Sequence, residues 1–286
     1  MRKKRKKIIL FSIIAFVILV CAIVFFRSPI GLALLKSKSH FIVHSRESRV
    51  LFEPGAEEHA DKIAEFLPDA IKRVEDGHFK PFKKPFKVYV CHTQKSHNQF
   101  IADPSNYPIR GAALRGNVFI SPAAFSFDGK DTHKESLTHE LSHLHLSQRL
   151  GFFGMRKIPF WFSEGLANCI AGSGGEGISE TQAIDSIKSG RSFTLREEGG
   201  LFKSWHKVVS QAGISARMFH RQNKMFVKFI MDYNPEAFQT FLLEVQEGKS
   251  FFERFNANFK IDITDMWEKF MTDIFSKSER NKLRKD

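Results

Sequence analysis

Thr138–His143 reads T-H-E-L-S-H, and the conformation of this stretch decides how the rest of the chain is read. On a helix, His139 and His143 project from adjacent turns of one face, so both imidazoles can reach one ion. Glu140 stands beside them, and His-Glu-x-x-His on a helix is an arrangement that pairs a metal with a carboxylate that does not bind it. The flanks predict that helix over 133–150. Thr132 and Glu135 have the spacing of a capping box, and Gly151 is placed to end the helix after Leu150. Leu137, Leu141 and Leu144 make a stripe to be buried, with Ser136, His139, Glu140, His143 and Ser147 on the other side. The helical period turns His145 away from the pair, toward packing or surface, and His92, His97 and His133 are read as surface residues.

A catalytic zinc takes three protein ligands and keeps one open position, so a third ligand has to come from elsewhere. An extended His-Glu-x-x-His-x-x-Gly-x-x-His layout would need Gly at Leu146 and His at Arg149, and it fails at both. Downstream, Pro159–Gly172 (P-F-W-F-S-E-G-L-A-N-C-I-A-G) predicts a second helix, with Pro159 in its first turn, Gly172 as its stop and Glu164 inside it. The loop Gly151–Ile158 is long enough to bring that helix back beside the first. Four residues on from Glu164, Asn168 shares its face and is expected to hydrogen-bond a ligand imidazole as a second-shell partner.

Outward from these two helices, the pattern changes at Thr132. Before it, His40–Val43, Arg49–Phe52, Pro85–Val90 and Asn117–Ser121 predict strands. Ala60, Ile63, Phe66, Leu67, Ala70, Ile71 and Val74 recur at helical spacing, with a kink expected at Pro68. After it, helices are expected over 133–150, 159–171, 179–189, 216–232, 236–247, 250–257 and 263–275, and the Phe-rich ones supply a core. The fold class is therefore α+β, a mixed sheet-and-helix lobe followed by a helical lobe.

The 286 residues carry a formal charge of +13, but six of the basic residues fall within Met1–Lys7. Hydrophobic residues at 42%, with 31 Phe, supply a sizeable core and exclude a largely disordered chain. Three Cys exclude a disulfide-stapled scaffold and leave only a Cys91–Cys169 bridge open. Ile8–Phe26 (I-I-L-F-S-I-I-A-F-V-I-L-V-C-A-I-V-F-F) is long and apolar enough to span a bilayer, and it lacks the small-x-small site of a cleaved signal. The expected topology is a single-pass cell-membrane protein with its basic N-terminus cytoplasmic and its catalytic domain extracytoplasmic, a cleaved signal or a buried core helix being the alternatives. The expected divisions are a basic tip 1–7, a transmembrane anchor 8–26, a juxtamembrane linker 27–39, one main domain 40–276 and a basic tail 277–286. No motif for nucleic acid is present.

H-E-L-S-H followed by W-F-S-E-G-L-A resembles the gluzincin metallopeptidases, especially the small bacterial peptidase-MA-like group, whose catalytic lobe is related to those of thermolysin and the aminopeptidase N class. The resemblance runs from about Phe41 to Phe275 and includes M-F-V-K-F-I-M-D-Y-N-P-E-A-F near the C-terminus. It implies a zincin-like fold, Zn2+ held by His139, His143 and Glu164, Glu140 as general base, and a peptide or protein substrate. Two departures stand out. Where the family has a Tyr that stabilises the oxyanion, this chain has Phe219-His220-Arg221, so His220 is the expected donor, with Arg217 and Arg221 as competitors. Gly111-Ala112-Ala113-Leu114-Arg115 replaces the Gly-x-Met-Glu-Asn that holds a free amine, which favours endopeptidase over aminopeptidase action. The strand at Asn117–Ser121 is expected to be the edge that pairs with substrate. A membrane-anchored extracytoplasmic zinc endopeptidase is the reading that results. The alternative is a catalytically inactive, zinc-stabilised binding or sensor module of the cell envelope.

Overall fold

Strand periodicity sorts the first lobe into two faces. Val88 and Val90 on β3 (Val88–Val90) and Val118 and Ile120 on β5 (Asn117–Ile120) point to one side of a sheet, while Tyr89 and Phe119 point to the other. The computed structural model describes residues 36–103, 108–193 and 213–283, with Phe16, Val17, Ser28 and Leu195 besides. The sheet is completed by β1 (Ile42–Val43), β2 (Val50–Phe52) and β4 (Gly111–Leu114), in the order β1-β2-β3-β5-β4. β2, β3 and β5 run parallel, and the two outer strands are antiparallel to their neighbours.

The aliphatic face is covered by two helices. α1 (Glu57–His78) contributes Ala60, Ile63, Leu67, Ala70 and Val74, and α3 (His133–Met155) contributes Leu137, Leu141 and Leu144. Where they meet, His78 Nε2 lies 2.8 Å from Ser142 Oγ and the His78 ring stacks on His145 at 4.3 Å. The aromatic face is closed by Phe41 and by Phe100 from α2 (Gln94–Ile101).

The second lobe is helical: α4 (Phe160–Ala171), α5 (Glu180–Lys188), α6 (Ala216–Tyr233), α7 (Pro235–Gln246), α8 (Phe251–Phe259) and α9 (Ile263–Leu283). Its core is mostly aromatic, with Phe162, Phe226, Phe238, Phe241, Phe251, Phe255 and Phe270 all at or below 1–2% exposure. Rings meet edge to face, as Phe162 and Phe251 do at 4.9 Å and 70°. α4 belongs to this core by one face and to α3 by the other, and this double membership carries Glu164 to the histidines.

Gly165 makes the α4–α6 approach possible. A Cβ there would stand 2.4 Å from Val227 Cγ2 and 2.7 Å from the Asn223 carbonyl oxygen, so helix backbone, not a movable side chain, blocks it. Gly165→Ala is expected to cost roughly 3 kcal/mol, the upper end of overpacking penalties. A denaturant midpoint equal to that of the wild type would contradict this contact.

Several expectations are corrected. Among the described residues no helix is long and apolar enough to cross a membrane. That finding overturns the expected transmembrane helix, and with it the membrane-anchored topology, the membrane as a partner, the extracytoplasmic placement and the membrane-anchored endopeptidase built on them. The span 8–26 that carried them lies, apart from Phe16 and Val17, outside the described residues. The strand at Asn117–Ile120 is internal, held between β3 and β4, and the edge on its side of the sheet is β4. Pro68 sits within a continuous α1. Thr132 precedes α3 but makes no side-chain cap; its hydroxyl donates to the Ala124 carbonyl instead, 3.0 Å away. At Gly151 the helix breaks (φ 64°, ψ −178°) and then takes one more turn to Met155. α2 was not foreseen, although Thr93 caps it by accepting from Ser96 N–H. His97 and His133 are buried, at 0% and 7% exposure, and His145 is packed, not superficial, at 0%. Cys91 and Cys169 both keep free thiols.

Candidate metal centre

Two imidazoles from α3 and one carboxylate from α4 meet at a point on the floor of a cleft. His139 Nε2 and His143 Nε2 are 3.0 Å apart, and each lies 3.3 Å from one oxygen of Glu164, Oε2 and Oε1 respectively. One such ligand atom from each residue falls within 4.8 Å of the others, so His139, His143 and Glu164 form a cluster that can hold a metal ion. The donor set, two imidazoles and a carboxylate, suits a divalent ion such as zinc. Three ligands held roughly 2.0–2.1 Å from one ion at tetrahedral angles stand about 3.3 Å apart, and the two nitrogens at 3.0 Å, each 3.3 Å from a carboxylate oxygen, are close to that spacing.

The electrostatics of the cluster favour a cation. Burial works against the charged carboxylate of Glu164, whose side chain is 12% exposed, but His143 and His139 beside it hold its pKa well below the usual range. Burial likewise works against a charged His143, yet the charge and hydrogen bond of Glu164, with Glu140 adding to them, raise it to about 9. Without an ion, a proton therefore occupies the place a metal would take. His143 has to be neutral to coordinate, so below pH 9 an incoming ion displaces that proton, and affinity weakens as pH falls. About tenfold weaker zinc binding per unit is expected between pH 8 and pH 6, read by chelator competition, with one proton released per zinc bound. A flat profile would contradict it.

Glu140 lies in the same cleft. It packs against the edge strand at Gly111, where a Cβ would come within 2.8 Å of Glu140 Cγ; the absence of a side chain at 111 is what gives the carboxylate room. The cleft, about 320 Å³, runs between β4 and the helices α3, α4 and α6, and Glu135, Glu140, Glu176, Arg110, Arg217 and His220 are among its lining residues. A second cavity of about 370 Å³ adjoins it, with Ala113, Ser147, Met155, Ile158 and Phe160 in its wall. Glu140, His143 and Glu164 line both. The cluster thus sits between two cavities along one strand edge.

His220, on α6, is brought to the cluster from the far side. Its ring centroid is 6.3 Å from that of His139, and its Nδ1 is 3.7 Å from Glu164 Oε2. Burial pushes its pKa below the ordinary histidine value, with Glu164 acting in the opposite direction. Asn168 is 2% exposed, and its amide nitrogen reaches His220 Nδ1 at 3.1 Å and Asn223 Oδ1 at 3.3 Å. Its amide nitrogen therefore faces α6, not His139 or His143.

The far wall of the cleft is formed by ion pairs that the sequence did not show. Arg110, just before β4, pairs with Glu176 at 3.4 Å, and Arg217 on α6 pairs with Asp128 at 2.6 Å. Both guanidiniums also rest on the Phe127 ring, at 4.6 and 5.2 Å. The only signal for them in the sequence is the Gly-rich run Ala171–Gly177, which marks a loop without saying where it folds.

A scan against protein-family models finds no match, and a search of curated proteins finds none either. What stands on geometry is a His139/His143/Glu164 cluster able to coordinate a metal ion, set in a cleft beside a carboxylate that is not part of the cluster.

Proposed function

We propose that this protein is a zinc-dependent peptidase, with His139, His143 and Glu164 as metal ligands, Glu140 as general base and His220 as a hydrogen-bond donor to the reacting carbonyl. The observation that carries it is the position of Glu140. A structural metal needs the three ligands and nothing more, whereas Glu140 lines the cleft and both adjoining cavities meet at it. Gly111, where any side chain would obstruct it, belongs to an edge strand.

Zinc held at the cluster supplies Lewis-acid polarisation of oxygen in the cleft. The remaining roles fall to the chain itself. β4 is the last strand of the sheet, so its outer backbone groups can pair with an extended peptide. Glu140 accepts a proton from a water as that water's oxygen bonds to the peptide carbonyl carbon. It then passes the proton to the amide nitrogen as the C–N bond breaks, so that a free amine leaves. His220 donates to the carbonyl oxygen while negative charge grows on it. Nothing on β4 provides the acidic side chain that would hold a free amine, since its residues are Gly111, Ala112, Ala113 and Leu114, which supports cleavage within a chain.

A second reading needs less. The cluster alone is enough for a metal-stabilised binding module without turnover, and it supports that module better than it supports a membrane-anchored peptidase. Purified full-length protein loaded with one zinc per chain and incubated with reduced, alkylated α-lactalbumin separates the two. The peptidase reading expects new internal termini, their loss with 1,10-phenanthroline and their return with added zinc. Intact substrate at full zinc occupancy would leave the binding module as the function.

A further inference from the structure

His220 can donate into the cleft only if its proton is on the nitrogen that faces it. Two groups compete for Nδ1: the Asn168 amide nitrogen at 3.1 Å and Glu164 Oε2 at 3.7 Å. They make opposite demands. An amide NH2 only donates and requires a lone pair on Nδ1, whereas a carboxylate only accepts and requires a hydrogen there. The amide is the nearer partner, and it has two further contacts besides His220. Asn168 Oδ1 accepts from Ser173 Oγ at 3.4 Å, and the Nδ2 that faces His220 also donates to Asn223 Oδ1 at 3.3 Å. His220 and Asn223 lie one turn apart on α6, so Asn168 is held between two residues of the same helix, with Asn168 and Asn223 at 2% and 0% exposure.

We infer that Asn168 is a positioning residue that keeps the His220 proton on Nε2, directing the donor hydrogen to the cleft and away from Glu164. The alternative tautomer would fail twice. An Nδ1–H would spend its hydrogen on Glu164, drawing electron density from a ligand of the metal, and Nε2 would face the cleft as a lone pair toward developing negative charge. This assigns Asn168 a partner other than the ligand imidazole expected from its place one turn beyond Glu164. The effect on turnover rests on the peptidase reading; the tautomer does not.

The experiment is long-range ¹H–¹⁵N NMR of the full-length, zinc-loaded protein with ¹⁵N-labelled histidine, the His220 signals being identified by their loss in His220→Phe. Wild type should show His220 protonated at Nε2. Asn168→Asp, nearly isosteric but an acceptor, should move the proton to Nδ1, and turnover should fall by roughly 10²–10³, the usual worth of one oxyanion donor, with KM and zinc content little changed. Asn168→Leu, which can neither donate nor accept, should lose the fixed tautomer. An Nδ1–H in wild type overturns the inference, as does Asn168→Asp with its proton still on Nε2 or with undiminished turnover after the proton has moved. If the variants do not fold, the wild-type spectrum decides. A wild type that cleaves nothing but shows Nε2–H would sink the peptidase reading while leaving the role of Asn168 intact.

Discussion

Replacing His139 or His143 with Ala is expected to empty the centre of zinc. The two imidazole nitrogens stand 3.0 Å apart and each lies 3.3 Å from one Glu164 oxygen, and among the described residues the group counts these three side chains only, so the loss of one imidazole leaves two ligands. If zinc binding worth roughly 10–16 kcal/mol is shared among four coordination bonds, one bond accounts for about 3–4 kcal/mol, or on the order of 10²–10³ in affinity. The carboxylate left behind adds to the damage, because Glu164 is largely buried and loses one of the partners that hold it ionised. Zinc per chain, measured after dialysis against a weak chelator, should fall close to zero in either variant. His145→Ala is the control: it removes a fully buried imidazole from the same helix, but one whose Nε2 bonds the Lys80 carbonyl at 2.8 Å, and it should cost stability while leaving zinc in place. Full occupancy in His139→Ala would remove that residue from the ligand set.

For Glu140→Gln the two readouts should separate. Zinc stays, because Glu140 is outside the cluster, while turnover falls by roughly 10²–10⁴, the range for loss of a positioned general base. The substitution keeps the shape that packs against Gly111, and the amide has no lone pair basic enough to take the proton. Loss of zinc from this variant would make Glu140 a ligand. Unchanged turnover would place the base elsewhere or expose a contaminating protease.

The legible parts of this protein are those governed by short spacings. The pairing of His139 with His143 follows from four residues of helix, which advance the chain about 6 Å and return it to the same face. The stripe of Leu137, Leu141 and Leu144 is equally local, and all three are buried as expected; the alternation at Pro85–Val90 suggested a half-buried strand, but Val88–Val90 is covered on both faces. Isolated residues carry no such period. His97 and His133 looked superficial because nothing around them repeats, yet packing buried both. Thr132 had the spacing of a cap, but the Ala124 carbonyl, brought beside it by the turn at Pro122–Phe125, took its hydroxyl. The apolar run 8–26 was legible as composition, and composition alone carried the membrane assignment that the described helices do not support.

By itself the sequence determined the order of a mixed lobe and a helical lobe, the two histidines on one helical face, and a second helix bearing Glu164. Only the tertiary structure decided that β4 is an edge, that Glu140 lies against Gly111 on it, and that Asn168 meets His220 across 52 residues of chain. The reason is the reach of the forces involved. Helix periodicity and capping act within about one turn, so they place neighbours along the chain but not across it. Where α6 meets α4 depends on a backbone-to-backbone approach at Gly165 and an aromatic core drawn from five helices, α4, α6, α7, α8 and α9, and these exist only when the whole lobe has packed.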